Sequence, residues 1–229
     1  MIGVFLCLFV GMLVAMLTRG ASGAKSPATV RQIIVSAVCF QGASIALVWR
    51  FVREHGISWS EAFGLRNAWA RAVALGAIVT LIFLPLGSVL QYLSFTAIEY
   101  LGIKPIAQEA VLALRNASQG PALMVFVLVT VVVAPLGEEL LFRGVLYPAL
   151  KRAGFPRLAL WGSSILFAAI HFNLSIFLPL LLLSLLLVWL YEYTDNFIAP
   201  LTAHVFFNSA NLVIYFVNTD TAAKFSAPQ

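Results

Sequence analysis

The sequence predicts an all-α, polytopic transmembrane helical bundle of about eight helices, with a polar intramembrane cavity lined by the later ones. Three observations predict it. The 229 residues are 62% hydrophobic and only 10% charged, where soluble domains carry about 25% charged residues. Apolar runs of roughly 20 residues, the length that crosses a ~30 Å hydrocarbon core, recur along the chain. Against that background stand three polar clusters: Glu138, Glu139 and Arg143; then His171; then His204 with Asn208. The alternating pattern of a membrane β-barrel is absent.

The first predicted helix runs from residue 2 to 18. Small residues after it, Ala21-Ser22-Gly23-Ala24, resemble a signal-peptidase site, but no basic segment precedes the run and further spans follow, so a retained helix is expected. A Gly/Ser/Pro linker over 20–27 leads to a second helix at 30–52. The polar stretch 54–71 carries Trp59 and Trp69, which suit the membrane interface. A third helix follows at 70–95. Over 96–120 the apolar residues Ile106, Ala110, Val111 and Leu114 fall at helical spacing, which fits either an interfacial amphipathic helix or a connecting helix packed on the spans.

The fourth helix starts at Pro121, a residue well suited to a first helical position. Pro135 and Gly137 then predict a kink or break just before the glutamates. Helix resumes to about Arg152 and stops at Gly154-Phe155-Pro156. Spans near 157–171, 174–191 and 198–217 complete the set, with a polar tail at 218–229. No internal repeat is present, and residues 1–229 read as one integral membrane domain.

The formal net charge of +5 comes from Lys and Arg gathered in the connections, such as Arg50 and Arg53, or Lys151, Arg152 and Arg157. Basic residues at membrane edges point to headgroups and topology, and to no nucleic acid. Consecutive connections are basic, so the rule that positive loops stay inside leaves orientation open. Cys7 and Cys39 fall in predicted spans and make no disulfide framework.

Ionisable groups inside a bilayer cost about 2.5–3.5 kcal/mol each on insertion scales, so chains that keep them use them. Adjacent glutamates point about 100° apart on a helix, so Glu138 and Glu139 are not expected to face the same way. Glu139 and Arg143 are spaced for an ion pair with the acid N-terminal. That leaves Glu138 as the freer carboxylate, suited to general-base work. A buried ionic latch is the structural alternative. His171 shares a helix face with Phe167, as a catalyst or as a packed, hydrogen-bonded residue. His204 and Asn208 stack one turn apart and can both donate to an oxyanion. Asn208 and Asn211 can equally stitch helices together.

In this order and context (Ala134-Pro135 before the glutamates, Phe142-Arg143-Gly144 after them, Ala199-Pro200 before His204), the motifs resemble the CPBP membrane proteases. These are the CAAX prenyl endopeptidases and their Abi-like, bacteriocin-linked bacterial relatives. The resemblance covers roughly residues 120–217. It implies an intramembrane endopeptidase in which Glu138 and His171 activate water, His204 and Asn208 hold the oxyanion, and Glu139 with Arg143 shape the site or hold substrate. The implied partners are the bilayer and a membrane-associated peptide or protein; the implied location is an integral, multi-pass one, in the cell membrane if the source is a bacterium or archaeon. No cofactor is obligatory on this reading, although zinc is possible through Glu138, His171 and His204. A non-catalytic immunity or peptide-binding protein, or a proton-coupled transporter, would use the same polar pocket.

Overall fold

A computed structural model describes residues 30–65, 68–103, 114 and 120–226, with side chains described as far as residue 217. The predicted first helix, the 20–27 linker, nearly all of 104–119 and the side chains of the tail lie outside the described residues. Seven helices are present among those described: α1 (Val30–Glu54), the short α2 (Trp59–Ala62), α3 (Trp69–Tyr100), α4 (Pro121–Arg152), α5 (Pro156–Ala169), α6 (Phe177–Thr194) and α7 (Ile198–Ser226). Five stretches are long and apolar enough to cross a membrane: α1, α3, α4, Leu174–Thr194 and Ile198–Val217.

The predicted span at 157–171 forms a helix of nearly the expected bounds but is not among the five candidate spans. Its helix, α5, has 14 residues, roughly 21 Å at 1.5 Å per residue, short of a ~30 Å hydrocarbon core. The third helix runs five residues further than predicted, to Tyr100, and so takes in the start of the 96–120 segment. The backbone of the predicted tail continues α7 to Ser226.

Helix α7 is fixed along α3 by small residues. Ala72, Gly76 and Thr80 recur every four residues on α3 and are all buried. They face Ala199 and Ala203 of α7: a Cβ on Gly76 would lie 2.5 Å from the Ala199 carbonyl oxygen, and the Thr80 hydroxyl donates to the Ala203 carbonyl at 3.0 Å. Without a hydrophobic driving force between helices in lipid, such close backbone approach and hydrogen bonding hold them together. Phe83 meets Phe207 further along the same seam, at 5.7 Å between ring centres.

The start of α7 is set by a tight junction. Phe197 donates its N–H to the Phe63 carbonyl at 3.0 Å, and the Asn196 side chain accepts from the Ile198 N–H at 2.8 Å. Gly64, at φ +62°, lies so near the Asp195 carbonyl that a Cβ would sit 2.1 Å from it; only glycine fits. On the other side of the bundle, α1 lays Gln41, Ser44, Val48 and Val52 along α4. The main core gathers Leu141, Phe142, Phe167, Leu183, Leu187 and Ala203 between α4, α5, α6 and α7.

Gly76→Val is expected to destabilise the bundle by about 1–3 kcal/mol, the usual cost of overpacking. A lowered thermal unfolding midpoint in detergent checks it, because the added side chain would meet the Ala199 carbonyl oxygen and the Ala203 nitrogen, backbone atoms that give way only if a helix shifts.

Candidate functional site

The polar clusters meet inside the bundle, and α4 positions most of them. Its helix does not break at Pro135. It widens instead into two π-helical turns, Val129–Val133 and Leu140–Leu146, each ending just before a proline, Pro135 and Pro148. The closing bonds are five residues apart, from the Ala134 N–H to the Val129 carbonyl and from the Tyr147 N–H to the Phe142 carbonyl. A wider turn relieves the clash between a proline ring and the preceding carbonyls. It cannot replace the missing N–H. Thr130 stands five residues before Pro135, so its carbonyl loses its π-register donor; the Asn208 side-chain amide supplies one at 2.9 Å.

Glu139, Arg143 and His204 form one buried network. Arg143 Nη1 donates to Glu139 Oε1 at 3.0 Å, and Nη2 donates to the Ser184 hydroxyl at 2.9 Å and the Ser184 carbonyl at 3.0 Å. His204 Nδ1 lies 2.8 Å from the same Glu139 oxygen. A carboxylate paired with a guanidinium can only accept, so Nδ1 carries the proton. Glu139, Arg143, His204 and Ser184 are all at most 3% exposed. A charge buried alone here would be severely costly; a compensated pair is tolerable.

Glu138 is different. Its side chain is 13% exposed, and its Oε2 lies 3.7 Å from His204 Nε2. Its Oε1 accepts from Gln41 Nε2 at 3.4 Å. The two glutamates therefore do address one group: the His204 imidazole sits between them, with Nδ1 on Glu139 and Nε2 toward Glu138. They do so from different directions, as their angular separation on the helix requires, because the ring fills the angle between them.

His171 follows the last turn of α5. Its Nδ1 lies 2.8 Å from the Phe167 carbonyl oxygen, which fixes the proton on that nitrogen and leaves the Nε2 lone pair free for chemistry. Phe172 then turns the chain at φ 49°. Phe167, fully buried, joins the parts: its ring centre is 5.3 Å from the His171 ring and 5.6 Å from the His204 ring. The Arg143 guanidinium lies over the same ring at 4.9 Å, a favourable cation–π geometry, and Phe142 meets it edge-on at 5.2 Å.

Asn208 thus does bridge two helices while keeping a second N–H, whereas Asn211 donates back to its own helix at Phe207. Two polar residues of the site escaped the sequence reading, Gln41 and Ser184. Each was visible as a polar side chain inside an apolar run. Among the described residues, no three His, Cys, Asp or Glu side chains lie close enough together to make a metal-ligand group. An open apolar groove of about 440 Å³ lies between the first half of α4 and α7, lined by residues such as Leu123, Val127, Val131 and Phe216.

Arg143→Met should cost about 3–5 kcal/mol of stability, since it strands Glu139 as an uncompensated buried charge. Ser184→Ala should cost less, about 1 kcal/mol, because one of its two contacts to Arg143 is backbone. Unfolding of the two variants in detergent, beside the wild type, measures both.

Residues 120–210 match the family model described as type II CAAX prenyl endopeptidase Rce1-like. A UPF0177 protein of Lactococcus lactis, YxdF, is 37% identical over 82 residues, which are 35% of this chain and 43% of that protein. YpbD of Bacillus subtilis, named as an uncharacterized protein, is 42% identical over 71 residues, 29% of this chain and 33% of its own. The matched stretches therefore span less than half the length of these curated relatives. No solved structure matches. With five candidate spans around the site, the chain is an integral, multi-pass membrane protein, and over residues 120–210 it is similar to the Rce1-like type II CAAX prenyl endopeptidases.

Proposed function

We propose that this protein is an intramembrane endopeptidase that hydrolyses a peptide bond of a membrane-associated peptide or protein, with Glu138 as the general base. The observation that supports the assignment is the inequality of the two glutamates. Glu139 is consumed by Arg143 and His204, while Glu138 keeps an oxygen toward the site and some exposure. The carboxylate that is not neutralised by an ion pair is the one able to take a proton.

In the proposed reaction a water molecule lies between Glu138 and the His171 Nε2 lone pair. Glu138 takes one proton as the hydroxyl oxygen bonds to the scissile carbonyl carbon. The negative charge that develops on the carbonyl oxygen is met by the second N–H of Asn208. His204 in its doubly protonated form adds Nε2–H, keeping Nδ1–H on Glu139. The carbon–nitrogen bond then breaks, and Glu138 returns its proton to the leaving amine. Glu139 and Arg143 touch no reacting atom; they hold His204 in place. The groove between α4 and α7 would take apolar parts of the substrate. No obligatory metal enters this scheme.

The test is cleavage of a quenched-peptide library by the purified protein in liposomes. Glu138→Gln and His171→Ala should each lower the rate by about 10²–10⁴-fold, the range for loss of acid–base catalysis, and a zinc chelator should leave the wild-type rate unchanged. Loss of activity with chelator and its return with zinc would replace this scheme by a metal-dependent one. Saturable peptide binding by the wild type with no cleavage would point to a non-catalytic binding protein. The glutamates should also separate in stability. Glu139→Gln should lower the unfolding midpoint by breaking the Arg143 network, whereas Glu138→Gln should unfold with the wild type.

A further inference from the structure

Gln41 is on α1, outside the stretch matched by the family, and its side chain reaches the base. It is 2% exposed, and an amide placed in an apolar span is expensive unless it serves something. Its Nε2 donates to Glu138 Oε1 at 3.4 Å. The reverse orientation would set an amide oxygen against a carboxylate, so the donor must face Glu138.

The neighbouring glycine is shaped to this contact. A Cβ on Gly137 would lie 2.0 Å from Gln41 Oε1, 2.8 Å from its Cδ and 3.0 Å from its Cβ. All three nearest atoms belong to Gln41, so the missing side chain of residue 137 is the space the carboxamide occupies. A residue kept only to bind α1 to α4 would satisfy both ends of its amide. Here Oε1 is buried without a hydrogen-bond partner, and the one bond made is to the catalytic carboxylate.

We propose that Gln41 is a positioning residue of the site: it fixes Glu138 Oε1 and so leaves Oε2 directed at His204 and the reacting groups. The inference rests on the peptidase reading above. The bond reaches a charged acceptor but is long, so its loss should lower the rate roughly tenfold.

The experiment measures kcat, KM and the unfolding midpoint of the full chain in liposomes or detergent, using a peptide that the wild type cleaves. Gln41→Leu should lower kcat about tenfold with KM and the midpoint unchanged. If that variant fails to fold, Gln41→Met, which keeps the unbranched shape, carries the same expectation. Gly137→Ala should lower kcat by displacing the carboxamide. Combined with Gln41→Ala it should add little further loss, since the two closest clashes, with Oε1 and Cδ, are gone and only the 3.0 Å approach to Cβ remains. A kcat within twofold of wild type in Gln41→Leu would overturn the proposal. So would a loss matched by a fall in the midpoint, which would mark a purely structural role. A wild type that cleaves no peptide would overturn the peptidase reading and this proposal with it, an outcome distinct from cleavage that ignores Gln41.

Discussion

The structure depends on keeping one guanidinium stable in the middle of a membrane bundle. Arg143 is fully enclosed, yet both of its terminal nitrogens are bonded and its flat face lies on Phe167. Three elements are committed to that arrangement: α4 supplies the arginine and Glu139, α6 supplies Ser184, and α5 supplies the aromatic ring. His204 of α7 joins through the shared Glu139 oxygen. Removing either member of the Arg143–Glu139 pair would leave a buried charge uncompensated, and the neutral contacts around the pair draw in the other helices, so the network constrains four helices at once. Its chemical consequence is indirect. By taking up Glu139 it makes the two adjacent glutamates unequal, and the proposed role of Glu138 rests on that inequality.

The backbone of α4 contributes a second constraint. Two prolines in a membrane helix remove donors that water cannot replace at that depth. The chain accommodates both with wider π turns, and a side chain from another helix answers one of the bare carbonyls. Asn208 therefore has a structural duty and spare donor capacity at the same time. The small-residue seam between α3 and α7 holds the backbone of Ala203 against Thr80, and His204 is the next residue along. The imidazole's position is set by packing one residue away.

Much of this was legible in the sequence. The helical membrane class followed from hydropathy, and the Glu139–Arg143 pair from spacing alone. The three polar clusters did converge, through a Phe167 ring that the sequence placed on the face of His171. What was not legible depended on distance along the chain. Gln41 contacts a residue 97 positions away, and Ser184 one 41 positions away; nothing local distinguishes such residues from polar groups tolerated in a span. Of the kink or break expected at Pro135, the break does not occur, because proline penalties are defined for α-helical register and the helix changes register there. The angle between Glu138 and Glu139 was right for the backbone. It was misleading for function, because a planar ring with a nitrogen on each side can serve both.

The claim that Glu138 acts as a base toward water, rather than attacking the carbonyl itself, is tested most directly by oxygen isotope labelling. A single turnover would be run in heavy-oxygen water, followed by mass analysis of the new product carboxyl and of the protein segment holding Glu138. The account predicts that the solvent oxygen appears in the product and that Glu138 stays unlabelled. Heavy oxygen in the Glu138 carboxyl would show that an acyl intermediate had formed on it and would contradict the account.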